Sequence, residues 1–223
     1  VSVVDETGST NADLLAEARA GAPHRTVLAA RHQTAGRGRL DRRWESPPGV
    51  NLMVSVLLRD LPTHPHVVTQ RVALAARAAA QRVSGLDVRL KWPNDLLVGD
   101  AKLAGVLTEA GGTGGIDFLV TGVGMNVGWA PQGAARLGAG IDPIEVLRSM
   151  LEEFDALPEH DVHSSYRTHL ATIGRHVRVT MAAGDIEGRV IDVDADGRLQ
   201  VLDACGVTHG IDTGDVVHLR PAP

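Results

Sequence analysis

A single cysteine, Cys205, rules out an intramolecular disulfide and points to a reducing compartment. Positive charge is not in excess either: 22 Lys and Arg against 27 Asp and Glu leave a formal charge of -5, the wrong sign for a protein that coats nucleic acid. No apolar run approaches the roughly 18 residues that span a bilayer, and the N-terminus lacks the order of a signal peptide. A soluble, cytoplasmic protein is expected, with neither DNA nor membrane as partner. The chain begins at Val1 and not at methionine, so upstream sequence is expected. Repeats and low-complexity tracts are absent. So are the two commonest nucleotide cradles, G-x-x-x-x-G-K-S/T and G-x-G-x-x-G. The histidine pairs His64/His66 and His160/His163 have no cysteine or carboxylate set to complete a tetrahedral site, so they are expected at the surface or in turns and not on a metal.

With 223 residues, 43% of them hydrophobic, the chain can bury one substantial core and a small appendix. Thr10 and Asp13, followed by LLAEARAG, predict a capped helix ending at Gly21. TVLAARHQ and NLMVSVLL (51–58) predict strands on either side of an arginine-rich loop. The alanine-rich stretch 69–84 predicts a second helix that stops at Gly85. Between 86 and 129, short strands follow one another across tight turns, which predicts a mixed or antiparallel sheet. Asp142, Pro143 and Glu145 read as cap, first turn and capping-box partner of a third helix, with Ile144, Leu147, Leu151 and Phe154 on one face. VHSSYRTHL predicts a short fourth helix. From 175 onward, short strands punctuated by Gly and Asp predict a small β-barrel. The expected fold is α+β: a mixed or antiparallel central sheet flanked by helices over 1–173, then a C-terminal barrel over 174–223.

Two segments carry chemistry. TAGRGRLDRRW (34–44) places Gly36 and Gly38 beside Arg37 and Arg39: the glycines permit close backbone approach, and the guanidinium forks suit phosphate or carboxylate. Such a loop is expected to be mobile until it closes over an anion, with Trp44 offering a flat face to a ring. In KWPNDLLVGDAKLAGVLTE (91–109), Pro93 ends a strand and Asn94 and Asp95 occupy a turn. Lys102 is expected on a strand face with Ala104 and Val106, above a small apolar floor, while Gly105 leaves room for a ligand. Cations from two segments around one pocket suit the charge that develops in phosphoryl or nucleotidyl transfer, and a lid would shield a labile intermediate from water.

GSTN (8–11), QTAGRGR (33–39), KWPND (91–95), KLAGVL (102–107) and GVGMNV (122–127), in that order, resemble the motifs of the biotin protein ligases. The resemblance covers nearly the whole chain. It implies a class II synthetase-like catalytic domain with an SH3-like C-terminal barrel, and a two-step reaction. Biotin's carboxylate attacks the α-phosphorus of ATP to give biotinyl-5'-AMP and pyrophosphate; a carrier-protein lysine then takes the biotinyl group and AMP leaves. The resemblance further implies that Ser9, Thr10, Asn11, Gln33, Gly36, Arg37, Gly38, Arg39, Lys102 and Gly105 border biotin. Arg37, Arg39, Trp44, Asn94, Asp95, Lys102 and Asn126 would border the nucleotide, and Lys102, with Arg37 and Arg39, would be the catalytic cations. Mg2+ would ride on the ATP phosphates, without a metal cage in the protein. The implied partner is the biotin carboxyl carrier domain of an acyl-CoA carboxylase, and family members pair edge to edge as homodimers.

The sequence departs from the family in two places. Leu40 and Asp41 precede Arg42 and Arg43 where many members continue with a second Gly-Arg pair, so lid stiffness and adenylate retention are expected to differ. No helix-turn-helix precedes GSTN, so repressor function is not expected. A lipoate or octanoate enzyme of the same architecture is the nearest alternative, against which stand the missing Arg-Arg and triple-glycine motif and the location of Cys205 in the predicted barrel. A non-enzymatic biotin-responsive protein is the other. Arg220 is a candidate nucleotide contact.

Overall fold

The computed structural model describes residues 1–40 and 42–219, so Asp41 and Arg220 lie outside the described residues. Seven strands, β1 (Ser2–Thr7), β2 (Val27–Gln33), β3 (Leu52–Leu58), β4 (Val88–Lys91), β5 (Asp95–Val98), β6 (Ala101–Gly111) and β7 (Phe118–Met125), form one sheet in the order β1-β2-β3-β7-β6-β5-β4. β1 runs parallel to β2 and every other pairing is antiparallel. β1 escaped the sequence reading because SVVDET is an edge strand with mostly exposed side chains and no buried alternation. All seven residues of β3 are buried, which explains its unbroken apolar run: the centre of the sheet is covered on both faces.

One cover is α1 (Thr10–Arg19), which closes a small core of Leu14, Leu15, Ala18, Leu28, Leu57, Phe118 and Val120. The other face carries α2 (His66–Ser84), against which α3 (Pro143–Ala156) and α4 (Val162–His169) pack. Alanines 73, 75, 76, 79 and 80 of α2 are buried and let its neighbours approach closely. α2 starts three residues earlier than expected, after an N-capping Pro65, and ends as expected at Gly85 in the left-handed region. On α3, Asp142 accepts from the Ile144 N–H at 2.9 Å as predicted. Glu145 turns instead toward Arg148, 3.6 Å away. Ile144 is exposed; Val146, Leu147, Met150 and Phe154 make the buried face, because the helix is rotated toward α2. Thr10 does not cap α1: Ser9 holds the cap position without a side-chain bond, and Asp13 accepts from the Thr7 hydroxyl.

Beyond α4, β8 (His176–Met181), β9 (Gly184–Val193), β10 (Leu199–Leu202), β11 (Thr208–Ile211) and β12 (Asp215–His218) form an all-antiparallel sheet ordered β11-β10-β9-β8-β12, the SH3-like unit. Its buried Val177, Val179, Val190 and Leu199 join the large core of α2 to α4 and the first sheet. Among the described residues no helix is long and apolar enough to cross a membrane. His66 and His163 are half-buried and not surface residues; no group of three potential metal-ligating side chains occurs among the described residues.

A bulge in β6 sets the site. Asp95 pairs with Gly105 and Leu96 with Ala104, but Leu97 pairs with Lys102, so Leu103 is an extra residue. Because strand side chains alternate, one extra residue reverses the faces beyond it. Lys102 therefore shares its face with Gly105, not with Ala104 and Val106 as simple alternation predicted; those two turn to the helix-side core.

The two sheets meet at Thr172, which is fully buried. Its Oγ1 accepts from the Trp92 N–H at 3.1 Å and lies 3.3 Å from His218 Nε2. The hydroxyl keeps a proton and a second lone pair, so it can donate to His218 Nε2 or accept from it. Burial, helped by Lys91 and Arg175 and opposed by Asp100, lowers the His218 pKa to about 4. A folded value below the unfolded one, about 6.5, gives stability that is complete above the unfolded value and declines as pH falls toward 4. Urea unfolding should show this decline between pH 6.5 and 4.5, and His218→Gln should flatten part of it; an equal slope in both proteins would remove His218 from the account.

Candidate functional site

On the α1 side of the sheet, Gly105 pairs with Gly124 across β6 and β7, and Gly122 follows on the same face. These glycines leave a floor without side chains. A Cβ at Gly124 would sit 2.5 Å from the Trp44 ring, and one at Gly122 would overlap the Asn11 amide oxygen. Residues 36–40 and 42–44 fold over this floor, with Trp44 N donating to Gly36 O at 3.0 Å and Gly38 N to Arg42 O at 2.7 Å. Floor and loop enclose a cavity of about 350 Å³, within the range of small-molecule sites.

One end of the cavity is a buried polar network. Thr10 donates to Gln33 Oε1 from its backbone N–H at 2.8 Å and its hydroxyl at 3.0 Å. Ser55 Oγ, on β3, lies 2.8 Å from Thr10 Oγ1 and 2.6 Å from Asn11 Oδ1, and its single proton serves one of them at a time. Asn11 Nδ2 donates to Leu107 O and to Glu109 Oε2 at 2.8 Å, and the same carboxylate oxygen accepts from Arg37 Nη2 at 2.9 Å. Ser9, spared from capping, lines the cavity with them. A ring of donors and acceptors beside Leu107, Trp44 and the glycine floor suits a mostly apolar ligand with a polar head.

The other end is cationic. Lys102 Nζ lies over Gly105 and 2.6 Å from Asp95 Oδ1. Arg39 donates to Asn94 Oδ1 at 3.3 Å, to Thr213 Oγ1 at 3.0 Å and to the Gly214 carbonyl. Burial lowers the Arg39 pKa against the pull of Asp215 and Asp95. Arg42 pairs with Asp215: their hydrogen bond raises the arginine and lowers the acid. Asn94 is fixed by Nδ2 donating to Val106 O at 2.7 Å, and Asn126 by Nδ2 donating to Ala135 O at 3.0 Å. Trp44 Nε1 is buried against Gly124 and has no acceptor among the described residues.

Among the described residues, all the sequence-predicted site residues line this cavity except Gly36, and Arg220 lies outside the described residues. Gly36 is buried behind Trp44, where a Cβ would strike the Trp44 carbonyl, so it shapes the loop without facing a ligand. Asp95 opens β5 and does not sit in the turn. The loop, expected to lack fixed partners, is tied to Glu109 and to residues 213–215. Glu109, Ser55, Thr213 and Asp215 were not read from the sequence. None had a local signal: Glu109, seven residues after Lys102, shares its face only because of the bulge, and the others meet the site through long-range packing. The donor set bears on metal: of the carboxylates lining the cavity, Asp95 and Asp215 are each engaged by a cation, which leaves Glu45 alone. A magnesium ion here would take most of its ligands from phosphate oxygens.

The profile of the Biotin/lipoate A/B protein ligase family matches residues 4–126, and that of the Biotin protein ligase C terminal domain matches 172–219. The chain is 38% identical to a biotin–acetyl-CoA-carboxylase ligase of Mycobacterium tuberculosis, over 99% of this chain and 89% of the relative. It is 30% identical to the bifunctional ligase/repressor of Bacillus subtilis over 80% of this chain and 62% of the relative. It superposes on the Aquifex aeolicus biotin protein ligase, solved with biotin and ATP, with a TM-score of 0.80 and 25% identity over 98% of both chains.

The floor makes a prediction. Gly124→Ala should leave the thermal melt within a few degrees of wild type, because the flexible part of the clash is the Trp44 ring, yet weaken ATP binding at least about tenfold, or about 1.4 kcal/mol. Unchanged affinity in a calorimetric titration would detach Trp44 from the ligand.

Proposed function

The chain belongs to the Biotin/lipoate A/B protein ligase family, and from that premise we infer that it is an ATP-dependent biotin ligase, which adenylates biotin and transfers it to an acetyl-CoA carboxylase. The observation that carries the mechanism is the placement of Lys102, Arg37 and Arg39 around one cavity whose far end is the Thr10–Gln33–Asn11 network. In this reading the network, with Ser9, holds the polar head of biotin, and its chain lies along Leu107 and the glycine floor. That directs the carboxylate toward Arg37 and Arg39. ATP lies beneath the loop against Trp44, Asn94 and Asn126.

A carboxylate oxygen then attacks the α-phosphorus, the bond to the bridging oxygen breaks, and pyrophosphate leaves with the electron pair. Negative charge grows on the phosphoryl oxygens, and Lys102, held above the glycine floor by Asp95, is placed to stabilise it. Asp95 fixes the ammonium without occupying all three of its donors. Mg2+ carried by the triphosphate would neutralise charge at the leaving group. In the second step the ε-amine of the carrier lysine attacks the acyl carbon of the mixed anhydride, loses its proton, and AMP departs. The acceptor is proposed to be the biotin carboxyl carrier domain. We also propose that the chain divides near residue 173 into a catalytic unit and the barrel.

The test is exchange of labelled pyrophosphate into ATP with Mg2+ and without carrier. Exchange that requires biotin, and is not supported by lipoate or octanoate, is expected; exchange only with lipoate or octanoate would move the chain to another branch of the family, and none with any acid would overturn the adenylation reading.

Lys102→Ala should slow adenylate formation by about 100-fold or more while biotin's Kd changes only a few-fold, the pattern of an interaction made mainly in the transition state. Parallel losses in both would assign Lys102 to ground-state binding.

A further inference from the structure

Six cations line the cavity, Arg37, Arg39, Arg42, Arg43, Lys91 and Lys102, and they differ in how their charge is met; Arg43 and Lys91 have no ion pair among the described residues. Arg37 faces Glu109, Lys102 faces Asp95 and Arg42 faces Asp215. Arg39 is held only by neutral acceptors among the described residues: Asn94 Oδ1, Thr213 Oγ1 and Gly214 O. Its fork is oriented and desolvated, but its charge has no carboxylate in contact. A guanidinium in that condition is prepared for an anion.

Two of its three acceptors, and the partner of Arg42, come from one corner of the barrel, where the β11–β12 connection enters β12. Asp215 and Val216 of this corner also line the cavity. Between the two anchored arginines, Leu40 has φ 54, in the left-handed region, with its side chain largely exposed. No burial compensates that backbone, so the conformation is sustained by what holds its neighbours. The hydrogen bonds Gly38 N to Arg42 O and Arg42 N to Arg39 O link the two anchors through the turn.

We propose that Asp215 is a positioning residue for adenylation: by holding Arg42 it docks the arginine loop on the barrel, so that Arg39 keeps its charge for the substrate carboxylate and phosphate and the loop stays closed over the adenylate. The inference rests on the ligase reading for the identity of the anion, and on the structure alone for the docking. Asp215 touches no reacting atom; it acts through Arg42. The barrel thereby becomes part of the active site and not an appendage to it.

The experiment uses the full chain in two arms. In the first, without substrates, trypsin cleavage within residues 37–43 is followed at low and high salt and normalised to a peptide of the same sequence. Asp215→Ala and Arg42→Ala should each open the loop about two- to fivefold faster, the range an exposed ion pair supports. Salt should accelerate cleavage of the wild type more than that of the variants, which keep only the Arg37–Glu109 pair. The exchange Arg42→Asp with Asp215→Arg should restore protection, which a general loss of barrel stability would not. In the second arm, loss of preformed biotinyl-5'-AMP from the enzyme should rise by a similar factor in Asp215→Ala while biotin's Kd is unchanged. If Asp215→Ala proves unfolded, Arg42→Ala, which leaves the barrel sequence intact, carries both arms. Equal cleavage of variant and wild type, or a charge exchange without rescue, would overturn the docking. A wild type that forms no adenylate while the first arm behaves as described would instead overturn the ligase reading.

Discussion

The bulge at Leu103 lets β6 bury Leu103, Ala104 and Val106 against the helix side of the sheet while Lys102 and Gly105 face α1. With strict alternation, the ammonium of Lys102 would point away from Gly105 and lose both its floor and its partner Asp95. The glycine floor, the approach of Trp44 to Gly124 and the ion pair with Asp95 all depend on this register, since Gly105 pairs at once with Asp95 and Gly124. A backbone irregularity worth one residue thus aims the principal catalytic cation of the proposed mechanism.

Electrostatics organises what the bulge aims. A cavity that gathers Arg37, Arg39, Arg42 and Lys102 would be repulsive without compensation. Three carboxylates, from Glu109, Asp95 and Asp215, meet three of these cations and leave the half-buried Arg39 to neutral acceptors. Each pair is partly exposed, so its net contribution to stability is small. Its larger effect is geometric, because it fixes where each donor points before charge develops on a substrate, and that prior orientation is what makes such groups effective in a transition state.

The barrel and the catalytic sheet share one hydrophobic core and meet at a relay from Trp92 through Thr172 to His218. Trp92 also donates from Nε1 to the Gly197 carbonyl of the barrel at 3.0 Å. Lys91, Trp92 and Pro93 line the cavity, so the strand that ends at the nucleotide end of the site is the strand on which the barrel rests. A contact at the domain junction and a contact in the proposed active site are separated by one or two residues of chain.

Much of the architecture is written locally. Asp142 and Pro143 start α3, Gly85 stops α2, the unbroken run of β3 marks a strand covered on both faces, and the ordered motifs from GSTN to GVGMNV name the family and most of the residues that line the cavity. Such features are legible because caps, turns and alternation act over a few residues. The edge strand β1, the bulge, the exposure of Ile144 and the parts of Ser55, Thr213 and Asp215 in the site were not, because each depends on partners distant in the chain: Arg39 and Thr213 are 174 residues apart. Sequence determined which side chains the chemistry would draw on; tertiary structure alone decided which face Lys102 occupies and which arginine is oriented by neutral acceptors alone, because both follow from register and long-range packing that no local pattern encodes.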